Sequence, residues 1–316
     1  MNNNEKLQIT LDNFLFNLLN NEYDENTINQ IINGYKTLRK TTFRINNLKS
    51  NQEEVIKELD NNNIKYNTGP IKDSFIIDNN NYQNLIKTNS YEKGYLYIQN
   101  LSSMIPPYVL DFKDNTIDIL DMTAAPGSKT SLISQLIVNN NKAHILACEK
   151  DKIRYERLKY NLQKLGCNNV SVLNQDATKL DEYFLFDNIL LDAPCSGSGT
   201  LSIYDNSLDN FSLKLIKNSS ILQIKLLNQA CKILKKGGEI VYSTCSILKQ
   251  ENEDVINKVL SYNKNIEVVP INLSYLDKIP LLPSTINGTL KVMPNDEYEG
   301  FFVCKKKIFS ILYILI

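Results

Sequence analysis

The sequence predicts an α/β protein in which a doubly wound, mostly parallel sheet carries helices on both faces and is preceded by a small α+β module. Three observations carry this. From Ile117 onward, short apolar runs alternate with stretches whose apolar residues recur at helical spacing. Such alternation implies right-handed βαβ units, and a parallel sheet built from them is covered on both faces. The segment before about Tyr97 follows another pattern, with helices first and short strands after, so the chain divides into residues 1–97 and 98–316. Finally, 316 residues with 42% hydrophobic and 22% charged side chains are ample for a buried core.

In the first part, Leu7 to Leu19 and Asn26 to Leu38 have helical spacing, Thr41 to Asn46 alternates as a strand, Glu53 to Leu59 reads as a helix and Phe75 to Ile77 as a short strand. In the second, the strand runs are Ile117–Met122, His144–Cys148, Val170–Leu173, Asn188–Leu191 and Glu239–Tyr242. Helices are expected near Thr130–Val138, Ile153–Leu165 and Leu213–Leu234. Ile266–Val269 and Phe301–Cys304 add strands at one edge. The last nine residues, Ile308 to Ile316, are too few to span a bilayer as a helix and read as the end of a strand plus an apolar tail packed on the protein.

Charge and cysteine usage narrow the class. Lysine and arginine number 35, aspartate and glutamate 35, so no global field advertises a polyanion partner, and any nucleic-acid site is a local basic patch. Six cysteines lack CxxC spacing and only one histidine, His144, accompanies them, so no metal site is expected. The polar opening, Met1 to Glu5, has no secretory pattern, and free thiols in a reducing cytoplasm follow. A monomer is expected.

The stretch Asp121-Met122-Thr123-Ala124-Ala125-Pro126-Gly127-Ser128-Lys129-Thr130 is a strand, a small-residue turn and a helix start. In open α/β sheets the ligand crevice lies at the carboxyl ends of the strands. Ala124, Ala125 and Gly127 let a ligand approach the backbone, and Pro126 stiffens the turn. The stretch is neither GxGxxG nor GxxxxGK[ST], which argues against dinucleotide and nucleoside-triphosphate sites. Glu149 ends the second strand, placed to accept bonds from both hydroxyls of a ribose. Asp176 closes the third strand, placed to meet an adenine amino group. Singly each acid reads equally well as a surface carboxylate; together with the loop they fit an adenosyl ligand.

Two further strand ends carry cysteines. Asp192-Ala193-Pro194-Cys195-Ser196-Gly197 and Ser243-Thr244-Cys245-Ser246 each place a thiol just beyond an apolar strand. Cys148, Cys167, Cys231 and Cys304 sit in apolar runs or a helix and read as small buried hydrophobes. Cys195 and Cys245 lie in polar loops at the functional edge, as catalytic thiols or, alternatively, as a redox pair.

These motifs resemble the NOL1/NOP2/Sun family of RNA cytosine-5 methyltransferases. The likeness runs from about Phe43 to Lys305. Besides the loop and the two cysteine motifs it includes Arg44 to Lys49, Tyr97 to Met104, Glu251-Asn252-Glu253 and Gly300-Phe301-Phe302. The resemblance implies a Rossmann-like methyltransferase sheet using S-adenosyl-L-methionine. It assigns the nucleophile to Cys245 and product release to Cys195, with cofactor contacts at Thr123, Ala124, Ala125, Pro126, Gly127, Ser128, Lys129, Glu149, Asp176 and Asp192. Arg154 supports the cofactor acids. The chemistry suits these residue types: a thiolate adding at cytosine C6 makes C5 nucleophilic, Asp192 can bond the N3/N4 edge, and Lys129 adds positive charge.

The chain departs from the family pattern at Ser128, where a second glycine is commoner, and in Leu201 to Phe211, which lacks the usual basic residues and tryptophan. The arginine usual before Met293-Pro294 is also absent, although Lys291 lies near. The compact layout resembles the archaeal-type tRNA enzymes, so tRNA is the expected substrate, with ribosomal RNA the alternative enzyme substrate and a catalytically inactive RNA-binding assembly factor the alternative of another class. Arg39, Lys40, Arg44 and Lys49 are the expected RNA-facing patch.

Overall fold

A computed structural model describes residues 2–308. The chain opens with Asn3–Thr10, Leu11–Leu15 and Phe16–Asn20, which run on as one helix (α1) with a π turn at its centre. Helix α2 follows at Glu25–Lys36, N-capped by Asp24, whose side chain accepts from Thr27 N–H. Then come β1 (Thr41–Ile45), α3 (Gln52–Asn61), β2 (Asn67–Thr68), β3 (Ser74–Ile77) and β4 (Leu96–Ile98). These four strands form an antiparallel sheet in the order β2-β3-β1-β4. Phe43, Ile45, Phe75 and Ile77 point to one face and pack on Val55 and Leu59 of α3, as the two-residue period of a strand requires.

α1 and α2 do not pack on this small sheet. Leu7, Leu15, Leu19, Ile28 and Ile31 form a cluster with Leu201, Phe211, Ile247, Leu248 and Leu282, drawn from later parts of the chain.

The large sheet is built from β5 (Asp118–Asp121), β6 (His144–Cys148), β7 (Val170–Leu173), β8 (Phe186–Asp192), β9 (Leu234–Thr244), β10 (Ile266–Val269), β11 (Leu290–Val292) and β12 (Phe301–Ile308). The order is β10-β12-β9-β8-β5-β6-β7, with β11 beside β12. β5 to β9 are parallel; β10, β11 and β12 pair antiparallel at one edge, where the late apolar runs were expected. Helices α4 (Leu101–Val109), α5 (Ser128–Leu136), α6 (Lys152–Lys164), α7 (Leu213–Lys232) and α8 (Glu253–Tyr262) cover it. Both faces are dry: Leu120, Ile189, Leu191, Ile240 and Tyr242 enter one core, while Ile119, Leu190 and Val241 enter the other.

The strand expected at Glu239–Tyr242 is longer at both ends. Phe186 pairs with Leu234 and Asn188 with Glu239, so the surplus residues of β9 bulge at Gly237-Gly238. Gly237 has φ +77°, and a Cβ on Gly238 would meet the Asp187 carbonyl at 2.7 Å. β2, β11 and the short helices Tyr82–Leu85 and Asn89–Glu92 were not anticipated. Among the described residues no helix is long and apolar enough to cross a membrane. Of the expected strand and apolar tail, the strand ends at Ile308, and residues 309–316 lie outside the described residues.

Candidate active site

The first sheet strand, β5, has β6 on one side and β8 on the other, so the chain reverses direction across the sheet between β5 and β8. A crevice opens at such a switch point, beyond the carboxyl ends of the strands. The loop after β5, the acids after β6 and β7, and the cysteines after β8 and β9 all lie there.

The loop Thr123–Gly127 is tied on three sides. Thr123 Oγ1 donates to the Asp192 carbonyl at 2.8 Å, Ala124 N–H to the Cys148 carbonyl at 2.9 Å, and Arg154 Nη2 to the Ala125 carbonyl at 2.9 Å. Gly127 has φ +104°, and its N–H closes a turn onto the Ala124 carbonyl at 2.7 Å. Ser128 then starts α5. Beneath the loop, Thr130 Oγ1 donates to Asp121 at 2.7 Å, and burial pushes the Asp121 carboxyl up to about 6.

One side of the crevice is lined by Met122, Thr123, Glu149, Arg154, Asp176, Ala177, Pro194, Leu222 and Leu226. Glu149 is 4% exposed; Oε1 accepts Asp151 N–H at 2.9 Å and Oε2 lies 3.4 Å from Arg154 Nη1. Asp176 accepts from Thr178 N–H and Oγ1 through a single oxygen, Oδ1, and these bonds and nearby Lys150 and Lys179 outweigh its partial burial and hold it below the usual carboxylate range. Acids on two successive strand ends, with apolar Met122, Ala177, Leu222 and Leu226 between and around them, suit a flat heterocycle carrying a polyol. A Cβ on Gly127 would meet Leu158 at 3.1 Å, so α6 packs directly on the loop behind this cleft.

On the other side, Lys129 and Asp192 form a buried ion pair. Lys129 Nζ lies 2.6 Å from Asp192 Oδ2 and donates to Ser103 Oγ at 2.8 Å, while Ser243 Oγ donates to Asp192 Oδ1 at 2.8 Å. The ammonium also lies 5.4 Å from the centre of the Phe301 ring. Burial alone would lower Lys129, but the Asp192 charge and hydrogen bond hold it above its ordinary value.

Cys195 and Cys245 are both half-buried free thiols with sulfurs 2.8 Å apart. The hydrogen bond with Cys245, and then burial, push the Cys195 thiol well above its ordinary range. Cys148, Cys231 and Cys304 are buried in the core, as expected from their apolar surroundings.

The Glu251-Asn252-Glu253 segment, which the sequence marks only as part of the family likeness, builds this site. Asn252 Oδ1 accepts from Thr244 Oγ1 at 2.6 Å and its Nδ2 donates to the Ser246 carbonyl at 2.8 Å, so one side chain brackets Cys245. Glu251 accepts from residues of both cysteine loops, and Glu253 lies 2.7 Å from Lys291 Nζ. α1 and α2 reach the same loops: Tyr23 Oη donates to the Ile247 carbonyl at 2.7 Å and Tyr35 Oη to the Ser198 carbonyl at 2.8 Å. No local signal marks Tyr23 and Tyr35, because their partners are more than 150 positions away.

The expected RNA-facing patch is corrected at Arg44. Its side chain is 2% exposed, held by Gln99 Oε1 at 2.9 Å, Gln135 Oε1 at 3.1 Å and Ser131 Oγ at 2.8 Å, between the small sheet and α5. Alternation along β1 put Arg44 on the face opposite Phe43, and that face is covered. The other three cations are partly engaged: Arg39 with the Thr200 and Leu201 carbonyls, Lys40 with Asp296 and Glu297, Lys49 with the Lys93 and Lys164 carbonyls.

Comparison with known proteins gives a consistent picture. Residues 107–307 match the family model described as 16S rRNA methyltransferase RsmB/F. The ribosomal RNA small subunit methyltransferase F of Shewanella piezotolerans is 35% identical over 283 residues, 87% of this chain and 59% of that protein, so the chain spans less than two thirds of that relative's length. The tRNA (cytosine(49)-C(5))-methyltransferase of Pyrococcus abyssi is 34% identical over 286 residues, covering 86% of this chain and 88% of that one. Among solved structures, a methyltransferase homolog protein from Pyrococcus horikoshii superposes with a TM-score of 0.74 at 32% identity, over 89% of this chain and 90% of that one.

Proposed function

The chain belongs to the RsmB/F, or NOL1/NOP2/Sun, methyltransferase family, and on that premise we propose that it methylates C5 of a cytosine in RNA, with Cys245 as the nucleophile and S-adenosyl-L-methionine as the methyl donor. The observation that carries the proposal is the convergence of the Cys195–Cys245 pair and the Asp192–Lys129 pair at the ends of β8 and β9, beside a cleft with the acids an adenosyl ligand needs.

The residues present fit that cofactor. Glu149 would accept from the ribose hydroxyls and Asp176 from the adenine amino group, Met122, Ala177, Leu222 and Leu226 would flank the ring, and Thr123 to Ser128 would line the methionine side. When bound, the cofactor supplies an electrophilic methyl group.

C5 of cytosine is too weak a nucleophile to accept a methyl group unaided. A bond from Cys245 Sγ to C6 moves electron density onto C5, and the covalent adduct divides one hard step into two. Asp192 would face the N3/N4 edge of the base and, with the Lys129 ammonium 2.6 Å away, would hold or return a proton there as charge builds. Release needs the C5 proton removed by a base and the Cys245–C6 bond broken; Cys195, with its sulfur 2.8 Å from that of Cys245, would donate to the departing sulfur.

For the RNA class, the tRNA proposal is supported by the Pyrococcus abyssi relative, and a ribosomal RNA substrate by the family description and the Shewanella relative. Bisulfite sequencing of total RNA from cells lacking the gene separates them by which cytosine loses its methyl group.

The mechanism is tested with two variants. Cys245→Ala should abolish methyl transfer and form no covalent RNA adduct, with the fold retained. Cys195→Ala should accumulate a protein–RNA species that survives denaturing electrophoresis. A trapped adduct with Cys245→Ala and none with Cys195→Ala would reverse the assignment. Two active variants with no adduct in either would refute covalent catalysis, and an inactive native protein that binds RNA would favour the assembly-factor alternative.

A further inference from the structure

Glu251 lies under the two cysteine loops and is fully buried. Its Oε1 accepts Ser196 N–H at 2.7 Å, and its Oε2 accepts Ser196 Oγ at 2.5 Å and Ser246 Oγ at 2.7 Å. Ser196 follows Cys195 and Ser246 follows Cys245, so one carboxylate ties the residue after each thiol to the same point. Gln223 of α7 completes the shell, donating to the Pro194 carbonyl at 2.9 Å and to Oε1 at 3.4 Å.

The bonding pattern favours the ionised form of this side chain. The Ser196 amide and Gln223 Nε2 can only donate. Ser246 Oγ accepts Leu248 N–H and sits beside Ser198 Oγ, which itself accepts Ile247 N–H, so the Ser246 proton is free to point at Glu251. Donors at both oxygens stabilise the acceptor-only, ionised carboxylate. Burial raises its pKa, and the hydrogen bonds from Ser196 and Ser246 work against that rise.

The charge is placed asymmetrically. Glu251 binds both the amide and the hydroxyl of Ser196, and its charge, after the Cys245 hydrogen bond and burial, adds to what holds the proton on Cys195. Cys245, by contrast, lies within electrostatic reach of the Lys129 ammonium. The other titratable groups facing the pair are Asp192, already paired with Lys129, and Tyr242 of β9, whose hydroxyl donates to the Glu251 carbonyl at 2.6 Å.

We propose that Glu251 is a positioning residue that holds the two thiols in contact and keeps their shared proton on Cys195, so that Cys245 is the sulfur free to attack. This rests on the covalent proposal above and adds to it the cause of the division of labour between two otherwise similar cysteines.

The test is differential alkylation of the full chain. Native protein and Glu251→Gln are treated briefly with iodoacetamide at neutral pH, and labelling of the Cys195 and Cys245 peptides is read by mass spectrometry. Only thiolates react at appreciable rate, so the ratio reports which sulfur carries the proton. In the native chain Cys245 should label faster than Cys195. In Glu251→Gln that preference should fall by roughly tenfold or more, the equivalent of one unit of relative pKa. A merely structural role would change melting temperature and both labelling rates together, not their ratio. An unchanged ratio in a folded Glu251→Gln protein overturns the proposal. So does equal labelling of the two cysteines in the native chain, an outcome that does not depend on the variant folding. Methyl transfer by Cys245→Ala would instead refute the covalent mechanism while leaving the native labelling ratio as it is.

Discussion

Replacing Glu149 with glutamine separates the charge of that side chain from its shape. Oε1 already accepts Asp151 N–H at 2.9 Å, and Oε2 has Arg154 Nη1 at 3.4 Å. A carboxylate offers about four acceptor sites, so about two remain, one for each ribose hydroxyl. Glutamine keeps a single acceptor oxygen. If that oxygen goes on serving Asp151, an NH2 group replaces Oε2, and one bond from a hydroxyl to a charged acceptor is lost. Such a bond contributes about 1.5–3 kcal/mol. At about 1.4 kcal/mol per factor of ten, the dissociation constant for S-adenosyl-L-methionine should rise about 10- to 150-fold. Titration calorimetry measures this directly, and the melting temperature without ligand confirms that the strand end is intact. A folded Glu149→Gln protein with native affinity would remove Glu149 from the cofactor cleft and with it the adenosyl assignment of that cleft.

Two other measurements bear on the fold and the substrate. Burial raises the Glu22 carboxyl from 4.5 to about 6 despite Lys291 beside it at 3.5 Å. A group whose folded pKa exceeds its unfolded one contributes stability that is full below about 4.5 and lost as pH rises through about 6, up to ~2 kcal/mol. Glu22→Gln should therefore gain in melting temperature relative to the native chain between pH 4.5 and pH 7.5, and parallel pH profiles would refute the assignment. RNA affinity should fall steeply with added salt despite a net charge of zero, because local cations displace phosphate counterions; a salt-independent dissociation constant would count against an RNA substrate.

Much of the sheet was legible because its signal is local. β6 and β7 begin and end where their apolar runs do, and α6 begins and ends one residue earlier than its expected span. The crevice was legible for the same reason, since strand ends and small-residue turns are marked in the sequence and the fold gathers them at one edge. Arg44 was misplaced because a charged side chain reads as surface until Gln99 on one side and Ser131 and Gln135 of α5 on the other surround it. Glu251 shows the same limit. Its sequence neighbours say only that a carboxylate follows a thiol, and its importance comes from Ser196, 55 positions earlier. The bulge at Gly237-Gly238 was not expected, because two glycines mark irregular backbone without saying whether pairing resumes on the same strand.

The buried Arg44 has a thermodynamic consequence. Its guanidinium is shared between Gln99, beyond the last strand of the small sheet, and Ser128, Ser131 and Gln135 of the helix that begins at the cofactor loop. All of these acceptors are neutral, so the charge has no counter-ion to follow it if the two bodies part, and the joint favours moving as a unit. Ligands bound on the two sides of this joint would then act on a single body. If loading either side changes the affinity at the other, the factor must be the same in both directions, since coupling free energy is reciprocal. Comparing that factor between the native chain and Arg44→Gln would read what this one arginine contributes to the coupling.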